Sequence, residues 1–382
     1  MVVGLSPASG STDAARPSAA RCASGAVEAL VAGKRICLRR GQRCSKRLDR
    51  KYHRYGFHCH SGRLIGGPRP APKSPTPAAP AGKVIATISA PSIGGIAVGG
   101  EAVWVANLGP RTVTRIDPQT DAVVATIPLG EPDGLDGPTN LTFGHGSLWV
   151  LDAVSSSVLR IDPQTNGVTA SISLGSPTQG NTAPLGIVAT LDAVWVANRW
   201  GTEDALDGSV VRIDPRTNRI VARLGLGASP ESGGPTMLAA GSDAVWVGVP
   251  SAKSVVRIDA ATDSVVATIS GFTCADGQLA VDESSVWVAD CSSVRRVDTR
   301  TNAIVNEISI PGDTGFGVHG IELGFGSIWV QAGSLVRIDP ASSAVTGTLP
   351  LADTWIRCGY SIAFGFGSVW VRQLDGVVRI EP

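Results

Sequence analysis

From residue 83 onward the chain is built of short apolar runs separated by clusters of Gly, Pro, Asp, Asn and Ser. Runs of that length between turn residues predict β-strands rather than helices. The pattern also repeats. A Val/Leu/Ile-Trp-Val tripeptide recurs with its tryptophan at Trp104, Trp149, Trp195, Trp246, Trp287, Trp329 and Trp370, in steps of 45, 46, 51, 41, 42 and 41 residues. Downstream of each comes Arg-Ile-Asp or a close variant, ending at Asp117, Asp162, Asp214, Asp259, Asp298, Asp339 and Glu381.

Each unit reads as four strands. An apolar stretch such as Asn140-Leu141-Thr142-Phe143 comes first, then the Trp strand, the Arg-Ile-Asp strand and a Val-Val-Ala-Thr-Ile strand. Between the third and fourth lies Asp-Pro-x-Thr-Asn/Asp, as at 162–166. Asp there can accept backbone N–H bonds, Pro presets φ, and Asn or Asp tolerates the left-handed region. A repeat of roughly 40–50 residues holding four short strands is the period of a propeller blade. The predicted fold is therefore all-β: a seven-bladed β-propeller of four-stranded antiparallel blades over residues 83–382, with the tryptophans packed between adjacent blades.

The ends of the pattern predict how the ring closes. The last unit stops at Arg379-Ile380-Glu381-Pro382, before its fourth strand. The first full unit is preceded by Val84-Ile85-Ala86-Thr87-Ile88-Ser89, which matches the fourth strand Val265-Val266-Ala267-Thr268-Ile269-Ser270. Pairing residues 84–89 with the C-terminal blade leaves no free sheet edge.

Composition changes the picture upstream. Residues 1–82 hold 15 Lys+Arg against 3 Asp+Glu, leaving 18 against 29 for residues 83–382, so a basic head precedes an acidic body. Residues 1–20 are Ala/Ser/Pro-rich and predicted disordered; residues 21–66 form a small basic Cys/His module; residues 67–82 are a Pro/Ala-rich linker. Cys22, Cys37, Cys44 and Cys59 fall in a head too small to be expected to build a core, which predicts disulfides. Their pairing is open from sequence. Zinc held by His53, His58 and His60 beside Cys59 is the alternative, weakened because no paired Cys-x-x-Cys spacing is present. The basic residues between Arg35 and Arg54, interleaved with Tyr52, Tyr55 and Phe57, suit an anionic polymer as partner. No stretch of about 18 apolar residues is present, so no membrane span is expected. No apolar h-region is visible near Met1, yet the cysteines favour an oxidising compartment, extracellular or in the cell envelope. A monomer is expected.

The motif Gly-Ile-Ala-Val-Gly-Gly-Glu-Ala-Val-Trp-Val-Ala-Asn at 95–107, recurring with Arg-Ile-Asp strands, resembles the streptogramin (virginiamycin B) lyase-like and YVTN-type propellers. The resemblance covers residues 84–382. It implies a magnesium ion at the channel mouth, held by glutamates near the ends of the Trp strands, with histidines as proton acceptors. Three residues past each tryptophan, however, stand Asn107, Asp152, Asn198, Val249, Asp290, Ala332 and Gln373, with no Glu among them. Asp152 and Asp290 are the weak metal candidates, for magnesium or calcium. His319 precedes an inner strand and is the candidate base, whereas His145 is expected in a hairpin turn at the opposite end.

The expected function is ligand or partner binding by the channel-mouth face; the alternative is a metal-dependent carbon–oxygen lyase. Candidate binding residues are Trp200, Asp290, His319, Trp355, Arg357 and Tyr360, because exposed aromatics beside charged groups suit a ligand. Glu203, Asp204 and Asp207 accompany Trp200, and Asp133 and Asp136 lie in another loop of this face. Cys274 and Cys291 are expected on paired strands, bonded to each other, with Cys358 left free.

Overall fold

Each Trp tripeptide forms the second strand of a four-stranded antiparallel sheet, because both faces of these strands are apolar and both are covered. The computed structural model describes residues 27–31, 34–53, 57–66, 80–90, 94–131, 137–175, 184–199, 208–228, 234–311, 317–318, 320–351 and 361–382. The chain divides into two units, Met1–Pro77 and Ala78–Pro382.

The larger unit is the seven-bladed propeller. Its first blade runs outward through Ile96–Gly99, Ala102–Asn107, Thr112–Asp117 and Ala122–Pro128. Five further sheets repeat that order, and the seventh joins Ile362–Gly365, Ser368–Gln373 and Gly376–Glu381 to Lys83–Ser89. That last pair runs from Gly376 opposite Ser89 to Glu381 opposite Lys83, so the two ends of the unit share one blade. The inner strands of successive blades pack against one another, and Ile362–Gly365 meets Ile96–Gly99 to close the circle.

Seven apolar clusters hold the blades together, each spanning one pair of neighbours and each containing one repeat tryptophan. Trp104, for example, lies with Leu141, Leu148 and Val150 of the second blade. All seven rings are fully buried. The third-strand arginine of the same blade covers each ring, with its guanidinium carbon 4.9–5.8 Å from the ring centre. Several of these arginines also reach the next blade. Arg115 donates to Pro163 O (2.7 Å) and Asn166 Oδ1 (3.1 Å), Arg160 to Pro215 O (2.7 Å) and Asn218 Oδ1 (2.9 Å). Arg379 of the last blade donates to Pro118 O (2.8 Å) and Asp121 Oδ1 (2.9 Å) of the first. The acceptors belong to the Asp-Pro-x-Thr-Asn/Asp turn, whose last residue has φ of 53–58° in six blades. One turn therefore reverses its own chain and presents acceptors to the neighbouring blade.

The smaller unit holds two hairpins, Val27–Val31 with Lys34–Leu38 and Phe57–His60 with Arg63–Gly66, and a short helix Asp49–His53. Contrary to the expectation of no core, Ala29, Val31, Leu38, Tyr52, Phe57, Cys59 and Leu64 form one, next to a Cys44–Cys59 disulfide with Cα atoms 5.7 Å apart. A disulfide lets so small a cluster suffice. Cys37 is also disulfide-bonded, and Cys22 lies outside the described residues. Two sequence expectations change here. Cys59 is spent in a disulfide and points inward while His58 and His60 face outward, so Cys59 offers zinc no thiolate beside the histidines. Tyr52 and Phe57 are buried, which removes them as stacking platforms, and Tyr55 lies outside the described residues.

Candidate functional site

The second strands all end at one face of the ring, where the chain also leads into each inner strand. Of the positions three past each tryptophan, both carboxylates are already engaged. Asp152 is 2.8 Å from Arg111 in an almost fully buried ion pair and accepts the Ser155 hydroxyl. Asp290 accepts backbone N–H groups from Thr273 (2.9 Å), Cys274 (2.7 Å) and Ala275 (3.0 Å), and its carboxylate is 2.7 Å from Arg295 Nε. Burial works against its ionisation, yet these N–H groups and Arg295 together hold the Asp290 carboxyl below the usual carboxylate range. Asn107 donates to Thr112 Oγ1 (2.8 Å) and Thr114 Oγ1 (2.9 Å).

Cys274 and Cys291 form a disulfide with Cα atoms 5.6 Å apart. They are not on paired strands as expected. Cys274 lies in the segment leading into the fifth inner strand, and Cys291 in the tight turn between Ser285–Asp290 and Ser293–Asp298, with φ 56°. The bond ties that lead-in segment to the turn, and Asp290 gathers the same segment's N–H groups. Cys274, Asp290 and Cys291 bring their ligand atoms within 4.8 Å of one another. The sulfurs are bonded to each other and offer no thiolate, and the carboxylate faces Arg295, so the trio does not fit magnesium or calcium. Asp152 fits no better, paired as it is with Arg111.

Trp200, His319, Trp355, Arg357 and Tyr360, with Asp133, Asp136, Glu203, Asp204, Asp207 and Cys358, lie outside the described residues. His145 occupies a hairpin turn between an inner and a second strand, φ 53°, at the far end of the ring.

Other departures from the repeat do converge. Two residues past the tryptophans stand Ala106, Leu151, Ala197, Gly248 and Ala289 in the first five blades, then Gln331 and Arg372 in the last two. Arg372 is fully buried and Gln331 nearly so. Gln331 Nε2 donates to Arg372 O (3.3 Å), and Arg372 N to Ser361 O (2.9 Å). From the fifth blade Gln278 accepts Ile321 N–H at 3.1 Å. Gln331, Gln278 and Ser361 surround Gly320: an ideal Cβ there would lie 3.2 Å from Gln331 Cβ and 3.3 Å from Gln278 Oε1, and would collide with Ser361 Oγ. Glycine is what lets them approach. Gln278 Nε2, Gln331 Oε1 and Ser361 Oγ are buried without a hydrogen-bond partner. Comparing the residue two past each tryptophan, rather than three, would have revealed Gln331 and Arg372 from sequence.

A second departure lines the channel. The inner-strand residues opposite the tryptophans are Ala97, Thr142, Val188, Ala239, Ala280, Glu322 and Ala363. Glu322 thus puts a carboxyl into a cavity of about 450 Å³ lined by the inner strands of all seven blades. The Glu322 carboxyl accepts Leu323 N–H at 3.1 Å, and desolvation raises its pKa to about 7.

No family model matches the chain, and no curated protein matches it either. Among solved structures, the propeller resembles virginiamycin B lyase from Staphylococcus aureus, at 19% identity and TM-score 0.61, covering 78% of this chain and 97% of that one. It also resembles Kuenenia stuttgartiensis hydrazine synthase, at 14% identity and TM-score 0.59 with the same coverage. These likenesses agree with the seven-bladed propeller of the larger unit, and identities this low speak to fold alone.

Proposed function

We propose that the body is a binding propeller that takes a ligand or partner at the mouth-end sector formed by blades five to seven. The observation that carries this is the group of buried, partnerless polar atoms on Gln278, Gln331 and Ser361 beside the buried Arg372. Such atoms are uncommon in native proteins and each is a place for water or a ligand to bond. Chain proximity assigns further residues to the same site: His319 next to Gly320, and Trp355, Arg357 and Tyr360 just before Ser361. Trp200 is proposed as an outlying contact, and Asp290 as the support of the fifth blade's lead-in segment.

The alternative, a metal-dependent carbon–oxygen lyase, needs a cation to stabilise the negative charge that develops as the proton leaves. Asp152 and Asp290 are committed to arginines and backbone N–H groups, so that reading has less support. The disulfides favour an extracellular or envelope setting, where the head's exposed arginines and lysines would hold an anionic polymer. Thermal-shift and NMR ligand screens of the full chain, paired with streptogramin lyase assays in magnesium, test the proposal. We expect ligands whose shifts are lost in Gln331→Ala, and no magnesium-dependent turnover. Turnover that requires magnesium and vanishes in His319→Ala would overturn the binding reading.

A further inference from the structure

The channel holds a second site, chemically unlike the mouth. Its lining side chains are apolar apart from Thr142 and Glu322, with Ile96, Leu141, Leu279 and Ile362 among them and two rings, Phe143 and Phe364, while the inner-strand backbone makes much of the open surface polar. The rings are fixed by close packing: a Cβ on Gly99 would collide with the Phe143 ring, and one on Gly324 with the Phe364 ring. Phe364 also meets Phe325 edge-on, with centroids 5.7 Å apart. Among the described residues that line this space, Glu322 is the one ionisable side chain.

Nothing in the described structure neutralises it. The strand Gly320–Gly324 packs against Leu279–Val281, Ser285–Asp290, Ser327–Gln331 and Ile362–Gly365. Of the groups on those strands only Asp290 titrates, and it is held by Arg295 and three N–H groups. A partly buried carboxylate without a cation beside it is costly, and the cost falls when a ligand supplies the opposite charge. The choice of cation follows from the walls. A hard divalent ion is held by several carboxylates or ordered oxygen ligands, and among the described lining side chains Glu322 is the one carboxylate. An organic ammonium needs one carboxylate, apolar contacts for its carbon frame and, where available, aromatic faces. The acidic balance of residues 83–382 further favours cations near the body.

We propose that the central channel binds a small organic amine in its ammonium form, with Glu322 as the counter-charge and the inner-strand side chains, Phe143 and Phe364 among them, around its apolar part. This does not depend on the mouth-end reading, since none of Gln278, Gln331, Ser361 or Arg372 takes part.

Benzylamine and its neutral counterpart benzyl alcohol serve as probes, titrated into the full chain by calorimetry between pH 6 and 8. With the Glu322 carboxyl titrating near 7, the ionised fraction and hence the apparent amine affinity should fall about tenfold from pH 8 to pH 6. Benzyl alcohol should bind more weakly and without pH dependence. In Glu322→Gln the amine's advantage and its pH dependence should both be lost. Carbon-13 NMR of the Glu322 carboxyl in the unsubstituted protein gives a test that needs no variant: benzylamine should lower its pKa. No binding of benzylamine, equal binding of amine and alcohol, amine binding unchanged in Glu322→Gln, or a carboxyl pKa unmoved by the amine would each overturn the proposal.

Discussion

At the scale of single residues, the informative ones break the repeat. Seven copies of one motif supply an internal standard: where six blades place Ala, Thr or Val opposite the tryptophan, the sixth places Glu322. Its raised pKa has a consequence for stability. A carboxyl whose folded pKa lies near 7, against 4.5 unfolded, keeps its proton in the native state while the unfolded chain releases it. The native state therefore loses stability as pH rises from about 4.5 to about 7, and the loss stays constant above. Glu322→Gln should be nearly neutral at pH 4.5 and stabilising at pH 8, by at most about 3 kcal/mol. Urea unfolding at the two pH values measures this, and an equal effect at both would show that the pKa of the Glu322 carboxyl is not raised in the folded state. The tryptophans and arginines behave differently. Each ring lies between two blades and each guanidinium covers it, so their recurrence reflects packing rather than chemistry.

At the scale of elements, the shared blade is the point of greatest leverage. Lys83–Ser89 completes the sheet of Gly376–Glu381, and its Ile88 is buried with Trp370 and Val377 of that blade and Ile96 and Val103 of the first. Just before it, Ala81 is buried against Trp329 and Ile380. A chain lacking residues 1–89 should lose several kcal/mol, from the lost strand and its buried side chains and from the exposed edge of Gly376–Glu381. A chain lacking residues 1–77 should melt with the full chain. Coincident melting of the two truncated forms would mean that the strand contributes nothing. The sequence announced this strand by its match to 264–270, because fourth strands carry a common alternation. It did not announce where Cys274 and Cys291 sit, since a disulfide between a lead-in segment and a turn leaves the same spacing as one between strands.

At the scale of the whole molecule, the recurring turns set the acid limit. Asp117, Asp214, Asp259, Asp298 and Asp339 each accept backbone N–H groups two or three residues on, and these bonds hold their carboxyls below the ordinary 3.8. Their contribution is present above pH 3.8 and is lost as pH falls through the lower folded values. Glu322 acts in the opposite sense above 4.5. Stability should therefore peak near pH 4 to 4.5, falling on the acid side through many turns at once and on the neutral side through one residue. A thermal-melting series across pH 2.5 to 8 checks this, with Glu322→Gln expected to flatten only the neutral side.

The sequence alone was sufficient for the architecture. Blade number, strand order within a blade, the closing strand and the role of the tryptophans all follow from a motif repeated seven times, because each repeat must bury both of its faces against copies of itself. The head's core escaped notice since Leu38, Tyr52, Phe57 and Leu64 come from separate elements that only folding and the Cys44–Cys59 bond bring together. The commitment of Asp152 to Arg111 and of Asp290 to Arg295 was decided by tertiary structure as well, for a carboxylate's availability depends on what lies within a few ångströms of it. So was the meeting of Gln278, Gln331 and Ser361 around Gly320, and the placing of Glu322 beside a channel that exists only once seven inner strands stand side by side. Local pattern specifies the blade, whereas a site is a property of neighbours distant in the chain, which the closed ring alone brings into contact.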